Sequence, residues 1–124
     1  MLIGVRAATS RDLGVVQSII GRDPIANCFL QGRVDTAGVD PWRLGGDLWC
    51  HVEDDVPTSL LFAGANLVPV GTTAASRAAF ADRLRTSGRR CSSMVGPAVE
   101  VLDLWRLLEP ACGRAREVRE RQPL

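Results

Sequence analysis

Leu60-Leu61-Phe62-Ala63-Gly64-Ala65-Asn66-Leu67-Val68-Pro69-Val70 is the longest apolar run in the chain, and its reading decides the fold. Asp54, Asp55 and Pro57 precede it and Gly71, Thr72 and Thr73 follow it. A run so bounded reads as the central strand of a sheet, covered on both faces. It is too short to cross a membrane as a helix. Gly64 weakens a strand and Pro69 has no donor for a ladder, so a bulge or splay is expected near them. Asn66 either lines the resulting gap, where its amide can donate and accept, or satisfies its own turn. The segment 74–87 has helix composition and 91–95 reads as a second strand, which makes a strand-helix-strand crossover, expected to be right-handed.

Upstream of the run, Asp47 to Glu53 alternates, with Leu48, Cys50 and Val52 on one face and Trp49 and His51 on the other. This is the pattern of a half-buried strand, and the Asp54-Asp55 turn predicts that it pairs with the central run as an antiparallel hairpin. The segment 39–46, with a proline and a double glycine, reads as an ordered loop anchored by Trp42. Before it, Leu2 to Arg6 is a strand candidate. Thr9 or Ser10 caps a first helix through Leu13, Val16, Ile19 and Ile20, which Gly21 and Asp23-Pro24 end. A second helix carries its apolar stripe on Ala26, Phe29, Leu30, Val34 and Ala37, with Gly38 as its C-terminal cap.

Downstream, Thr72 or Thr73 caps a third helix. Its small residues Ala75, Ala78 and Ala79, with Leu84, face the sheet, and Arg77, Arg83 and Arg85 face water. A fourth helix opens at Gly96-Pro97, presents Ala98, Val101, Leu102, Trp105, Leu108 and Cys112 on one face, and ends at Pro110 and Gly113. The charged stretch 115–124 reads as an edge strand or a linker. The predicted class is α/β (α+β): a mixed sheet flanked by helices, in the order strand-helix-helix-strand-strand-helix-strand-helix-strand.

The length, 124 residues, predicts one domain over 1–124 that can bury a core without disulfide or metal staples. Fifteen basic residues, all Arg, against fourteen acidic ones leave a net charge of +1, which provides no overall field for nucleic acid or an anionic membrane. Cys28, Cys50, Cys91 and Cys112 form no Cys-x-x-Cys pair and have one histidine for company, so no metal site is expected. With no signal peptide or membrane-length run, a reducing cytoplasm is the expected location and the cysteines read as free thiols, buried as small hydrophobes.

His51 reads as a partly buried structural residue. It cannot touch Cys50, because adjacent strand residues point to opposite faces. No Gly-x-Gly-x-x-Gly, phosphate-loop lysine or Gly-x-Ser-x-Gly pattern occurs, and no residue is assigned a catalytic role. Arg89 and Arg90, which lead into Ser92 and Ser93, either answer the negative end of the third helix or dock a phosphate or carboxylate, and the first is the expectation. If the chain binds a small ligand, the pocket is expected where the central strand splays, lined by Asn27, Asn66, Ser92 and Ser93.

Four blocks then meet a family: Asp23-Pro24-Ile25-Ala26-Asn27, Asp40-Pro41-Trp42-Arg43-Leu44-Gly45-Gly46, Ala63-Gly64-Ala65-Asn66-Leu67-Val68-Pro69-Val70, and Gly88-Arg89-Arg90-Cys91-Ser92-Ser93-Met94-Val95-Gly96-Pro97. In this order they resemble the uncharacterised N-terminal domain that precedes the catalytic domain of certain bacterial GNAT-superfamily N-acetyltransferases. The resemblance implies a shortened GNAT-like fold and a downstream catalytic acetyltransferase domain, absent from this chain, as partner. It implies a parent that moves acetyl from acetyl-CoA to an amine. A GNAT pyrophosphate loop reads Gln or Arg, two residues, Gly, one residue, then Gly or Ala, and its amides cradle phosphates at a helix N-terminus. The matching segment here, Val70-Gly71-Thr72-Thr73-Ala74-Ala75, lacks that pattern. The expectation is therefore a non-catalytic accessory domain that binds no cofactor itself, with a small-ligand regulatory domain as the alternative and a homodimer as one assembly it could form.

Overall fold

A computed structural model describes residues 3–24, 27–64, 66–87 and 93–112, with side chains described to 109. Strands β1 (Ile3–Ala7), β2 (Asp47–Glu53), β3 (Val56–Ala63), β4 (Asn66–Val70) and β5 (Ser93–Met94) form one five-stranded sheet whose spatial order is the chain order. The first four are antiparallel neighbours, and β5 runs parallel to β4. Helices α1 (Leu13–Ile20), α2 (Cys28–Ala37) and the short α3 (Pro41–Leu44) precede β2, α4 (Ala74–Ser87) makes the crossover between β4 and β5, and α5 (Ala98–Cys112) follows. The predicted class of mixed sheet with flanking helices is the one observed.

The apolar run is not one strand. Leu60 pairs with Val70, Leu61 with Pro69, Phe62 with Val68 and Ala63 with Leu67, so the run folds back on itself as the β3–β4 hairpin. Gly64 marks the turn rather than a bulge: its amide donates to the Asn66 carbonyl (3.2 Å). The turn is close-packed. A Cβ on Gly64 would meet the Phe62 ring at 2.7 Å, and one on Gly46 would meet the Gly64 Cα at 2.6 Å. β3 is the middle strand of the sheet, and β2 beside it is buried on both faces, not half-buried, because helices cover both sides.

Alternation along β2 and β3 therefore sorts residues into two cores. On one face Leu48, Cys50, Leu60 and Phe62 pack with Val16, Ile19 and Ile20 of α1, Leu30 and Val34 of α2, and Leu44 of α3. On the other, Trp49, Leu61 and Ala63 pack with Phe80, Ala81 and Leu84 of α4 and Val101, Leu104 and Leu108 of α5. The β2–β3 turn holds Asp54 and Asp55 at φ of 51° and 65°, the left-handed pair that a two-residue hairpin needs and that Asp tolerates. Arg6 ties three elements together. It donates to both Asp12 carboxylate oxygens (2.7 and 2.9 Å) before α1 and to Asp55 Oδ1 (2.9 Å) in the turn.

Several helix faces differ from the sequence reading. Phe29, assigned to the buried stripe of α2, is exposed, and the Arg33 guanidinium lies 4.8 Å over its ring. The predicted loop at 39–46 contains α3, which Asp40 caps by accepting from the Trp42 amide (3.1 Å). Its anchor is Leu44, fully buried, while Trp42 is 95% exposed. On α4, Ala75 and Ala78 face outward, and Ser76, Arg77, Phe80 and Leu84 face inward. Arg77 turns in because Asp103 of α5 meets it, a partner that its own segment does not reveal. α5 buries Leu104 in place of Leu102 and runs past Pro110 to Cys112. Ala26, Arg89, Arg90, Cys91, Ser92, Gly113 and the predicted final strand or linker lie outside the described residues.

Candidate functional site

The candidate site residues that are described lie at the two ends of β4. At its start, Asn66 pairs with Ser93 and Leu67 with Met94, and the Val95 amide donates to the Leu67 carbonyl (2.9 Å). The pairing between β4 and β5 then stops. Pro69, two residues on, has no N–H to offer, so the parallel ladder has nothing to continue on. The Ser93 hydroxyl donates to Asn66 Oδ1, so these two candidates are brought together and bind each other. Asn27 is elsewhere. It precedes α2, is buried, and donates from Nδ2 to the Ile20 carbonyl (3.1 Å). It lines a pocket with Gly71, at the opposite end of β4 from Asn66. Ser92 lies outside the described residues.

At the far end of β4 the chain enters α4 through Gly71, at φ of 62°, and two threonines. A helix N-terminus leaves amides without intrahelical partners, and in a phosphate-binding loop a ligand would take them. Here side chains of the chain do so. The Thr72 amide (2.7 Å) and the Thr72 hydroxyl both donate to Glu100 Oε1 from α5. The Thr73 amide donates to Ser76 Oγ (2.8 Å) and the Ser76 amide to Thr73 Oγ1 (3.2 Å), a reciprocal cap. Glu100 thus puts a negative charge beside the positive end of the α4 dipole.

Arg77 locks the arrangement. Its Nη1 donates to the Thr72 carbonyl and hydroxyl (both 3.1 Å), and its Nε donates to Asp103 Oδ2 (2.6 Å). Arg106 reaches the other Asp103 oxygen (2.7 Å). The Arg77 hydrogen bond, then that of Arg106, hold the Asp103 carboxyl below the usual carboxylate range. The expected threonine cap is made by Thr73, while the contacts of Thr72 to Glu100 and of Arg77 to Asp103 are not legible in the sequence. The Thr73-x-x-Ser76 cap and the Asp103–Arg106 pair, three residues apart on α5, are local signals, whereas the Thr72–Glu100 and Arg77–Asp103 contacts join residues 28 and 26 positions apart.

His51 and Cys50 sit on opposite faces, Cys50 in the first core and His51 edge-on to Phe80 (6.3 Å between ring centres). Burial pushes the Cys50 thiol up to about 11, far from an activated nucleophile. Cys28 is exposed, so the reading of all cysteines as buried hydrophobes fails for it. Beside His51 in register, Ser59 Oγ is buried with no hydrogen-bond partner, which the sequence reading missed. Among the described residues no group of three or more His, Cys, Asp or Glu side chains could hold a metal ion, and no helix is long and apolar enough to cross a membrane.

A family model described as a domain of unknown function (DUF4081) matches residues 46–124, from the glycine before β2 onward. No curated protein and no solved structure matches the chain.

Proposed function

The chain belongs to the DUF4081 family, whose description names no activity, and on that premise we propose that it is the GNAT-like accessory domain of a bacterial N-acetyltransferase. In this reading the chain itself does no acetyl transfer. It packs on and positions a downstream catalytic GNAT domain in the cytoplasm, and acetyl-CoA is that domain's cofactor. The four sequence blocks that resemble such N-terminal domains motivate the link to acetyltransferases.

The observation that carries the non-catalytic half is the Glu100 carboxylate on Thr72. A diphosphate arriving at the α4 N-terminus would meet a resident negative charge hydrogen-bonded to the amide it needs. Carboxylate and phosphate oxygens compete for the same donors, and like charges at close range repel. Calorimetric titration of acetyl-CoA into the chain is expected to show no saturable heat. Micromolar binding would overturn the assignment.

A further inference from the structure

We propose that the pocket behind β4 and β5 is a binding site for a small zwitterion of α-amino-acid type, its carboxylate on Arg22 and its ammonium on Glu100. The pocket, about 120 Å³, is lined by Arg22, Asp23, Asn27, Gly71 and Glu100 against an apolar wall that includes Ile19. It opens where β4 and β5 end, since Gly71 follows β4 and the pocket's Pro97 follows β5 closely. Open α/β sheets bind ligands at the carboxyl ends of their parallel strands, where loops diverge and leave room.

The charges select the ligand. Arg22 is exposed, and its side chain has no hydrogen-bond or ion-pair partner among the described residues, so its guanidinium can receive a carboxylate in the paired geometry that arginine favours. Both Thr72 bonds to Glu100 fall on Oε1, which fixes the carboxylate in place and keeps the second oxygen for an ammonium. Asp23 adds negative character to the same wall, and the Asn27 amide is held there by its bond to Ile20. A simple anion would have to face Glu100 and Asp23, and a bare cation would have to face Arg22. A ligand carrying both signs a few bonds apart meets neither objection.

Size narrows the class further. At about 120 Å³ the pocket is well below the roughly 300–1,000 Å³ of a site for a drug-sized ligand. Glycine or alanine fits that space, and a longer side chain has to project through the opening. Gly71 leaves its part of the lining open, since a Cβ there would take up space in ordinary contact with Ile19 (3.4 Å) and 3.9 Å from Arg22. This site does not depend on the accessory-domain reading, and either can fail alone.

The test is an amide-resolved NMR titration of the folded chain with glycine, L-alanine, acetate and methylamine. Glycine or alanine is expected to saturate below about 10 mM and to move the signals of Arg22, Asn27, Gly71 and Glu100. Acetate and methylamine, each with one charged end, are expected to bind at least about tenfold more weakly. Arg22→Gln and Glu100→Gln each remove the response, the second while keeping an acceptor for Thr72, and Arg43→Gln, an exposed arginine outside the pocket, leaves it intact. Three results would overturn the site: no saturation by either amino acid, acetate binding as tightly as glycine, or an undiminished response in folded Arg22→Gln protein.

Discussion

Trp42 and Leu44 stand two residues apart in α3 and have opposite energetics. Trp42 is almost wholly in water, so the side chain has little burial to lose. Trp42→Ala is expected to change unfolding free energy by less than about 0.5 kcal/mol. Leu44 is fully buried in the first core, and Leu44→Ala should cost about 2–5 kcal/mol, both read from urea denaturation. The cysteines divide in the same way. Cys28 lies open on α2, whereas Cys50 is enclosed and its thiolate disfavoured. Iodoacetamide should label Cys28 in the native protein and reach Cys50 only after unfolding, with mass spectrometry locating the label. Labelling of Cys50 as fast as Cys28 would contradict the burial described for it.

At the level of elements, a close backbone approach joins the β3–β4 turn to the residues leading into β2. A Cβ on Gly46 would meet backbone atoms of Ala63 and Gly64, which cannot swing aside, and one on Gly64 would meet the Phe62 ring and the Gly45 carbonyl. Gly46→Ala is expected to destabilise by about 1–3 kcal/mol in chemical denaturation, with the β3–β4 turn amides shifting most in NMR spectra. This hairpin also shows what periodicity can and cannot say. The apolar run, the alternation of β2, the Asp54-Asp55 turn and the extent of α4 were legible, because each is written in adjacent residues. That the run is two strands was not, since both arms are apolar on both faces and composition does not mark the fold-back. The inward turn of Arg77 was equally hidden. Its stem and charge are buried only because Asp103 waits on another helix, 26 positions later. Of the candidate site, the Asn66–Ser93 contact follows from the crossover, but Asn27 falls at the other end of β4, a separation that only the folded chain reveals.

Across the whole molecule, a carboxylate clamps the helices on each side of the sheet. Asp12 joins the start of α1 to β1 through Arg6, and Asp103 joins α5 to α4 through Arg77. The hydrogen bonds from Arg6 hold the Asp12 carboxyl, and those from Arg77 and Arg106 the Asp103 carboxyl, below the ordinary range. A carboxylate with a depressed folded pKa gives stability that is fully present above its unfolded value, about 4, and lost as pH falls through the folded value. Stability should therefore decline below about pH 4, and the Asp12→Asn and Asp103→Asn double variant should show a shallower decline from a lower plateau, followed by circular dichroism. The spatial order of the strands, identical to their order along the chain, has a consequence for synthesis. Each strand after β1 neighbours the one made just before it, so once the helical segment has emerged, a ribosome delivers β2, β3 and β4 as a meander that can zip up in turn. Only the crossover layer of α4, β5 and α5 must wait, and until it docks Trp49 and Leu61 face solvent on the nascent sheet.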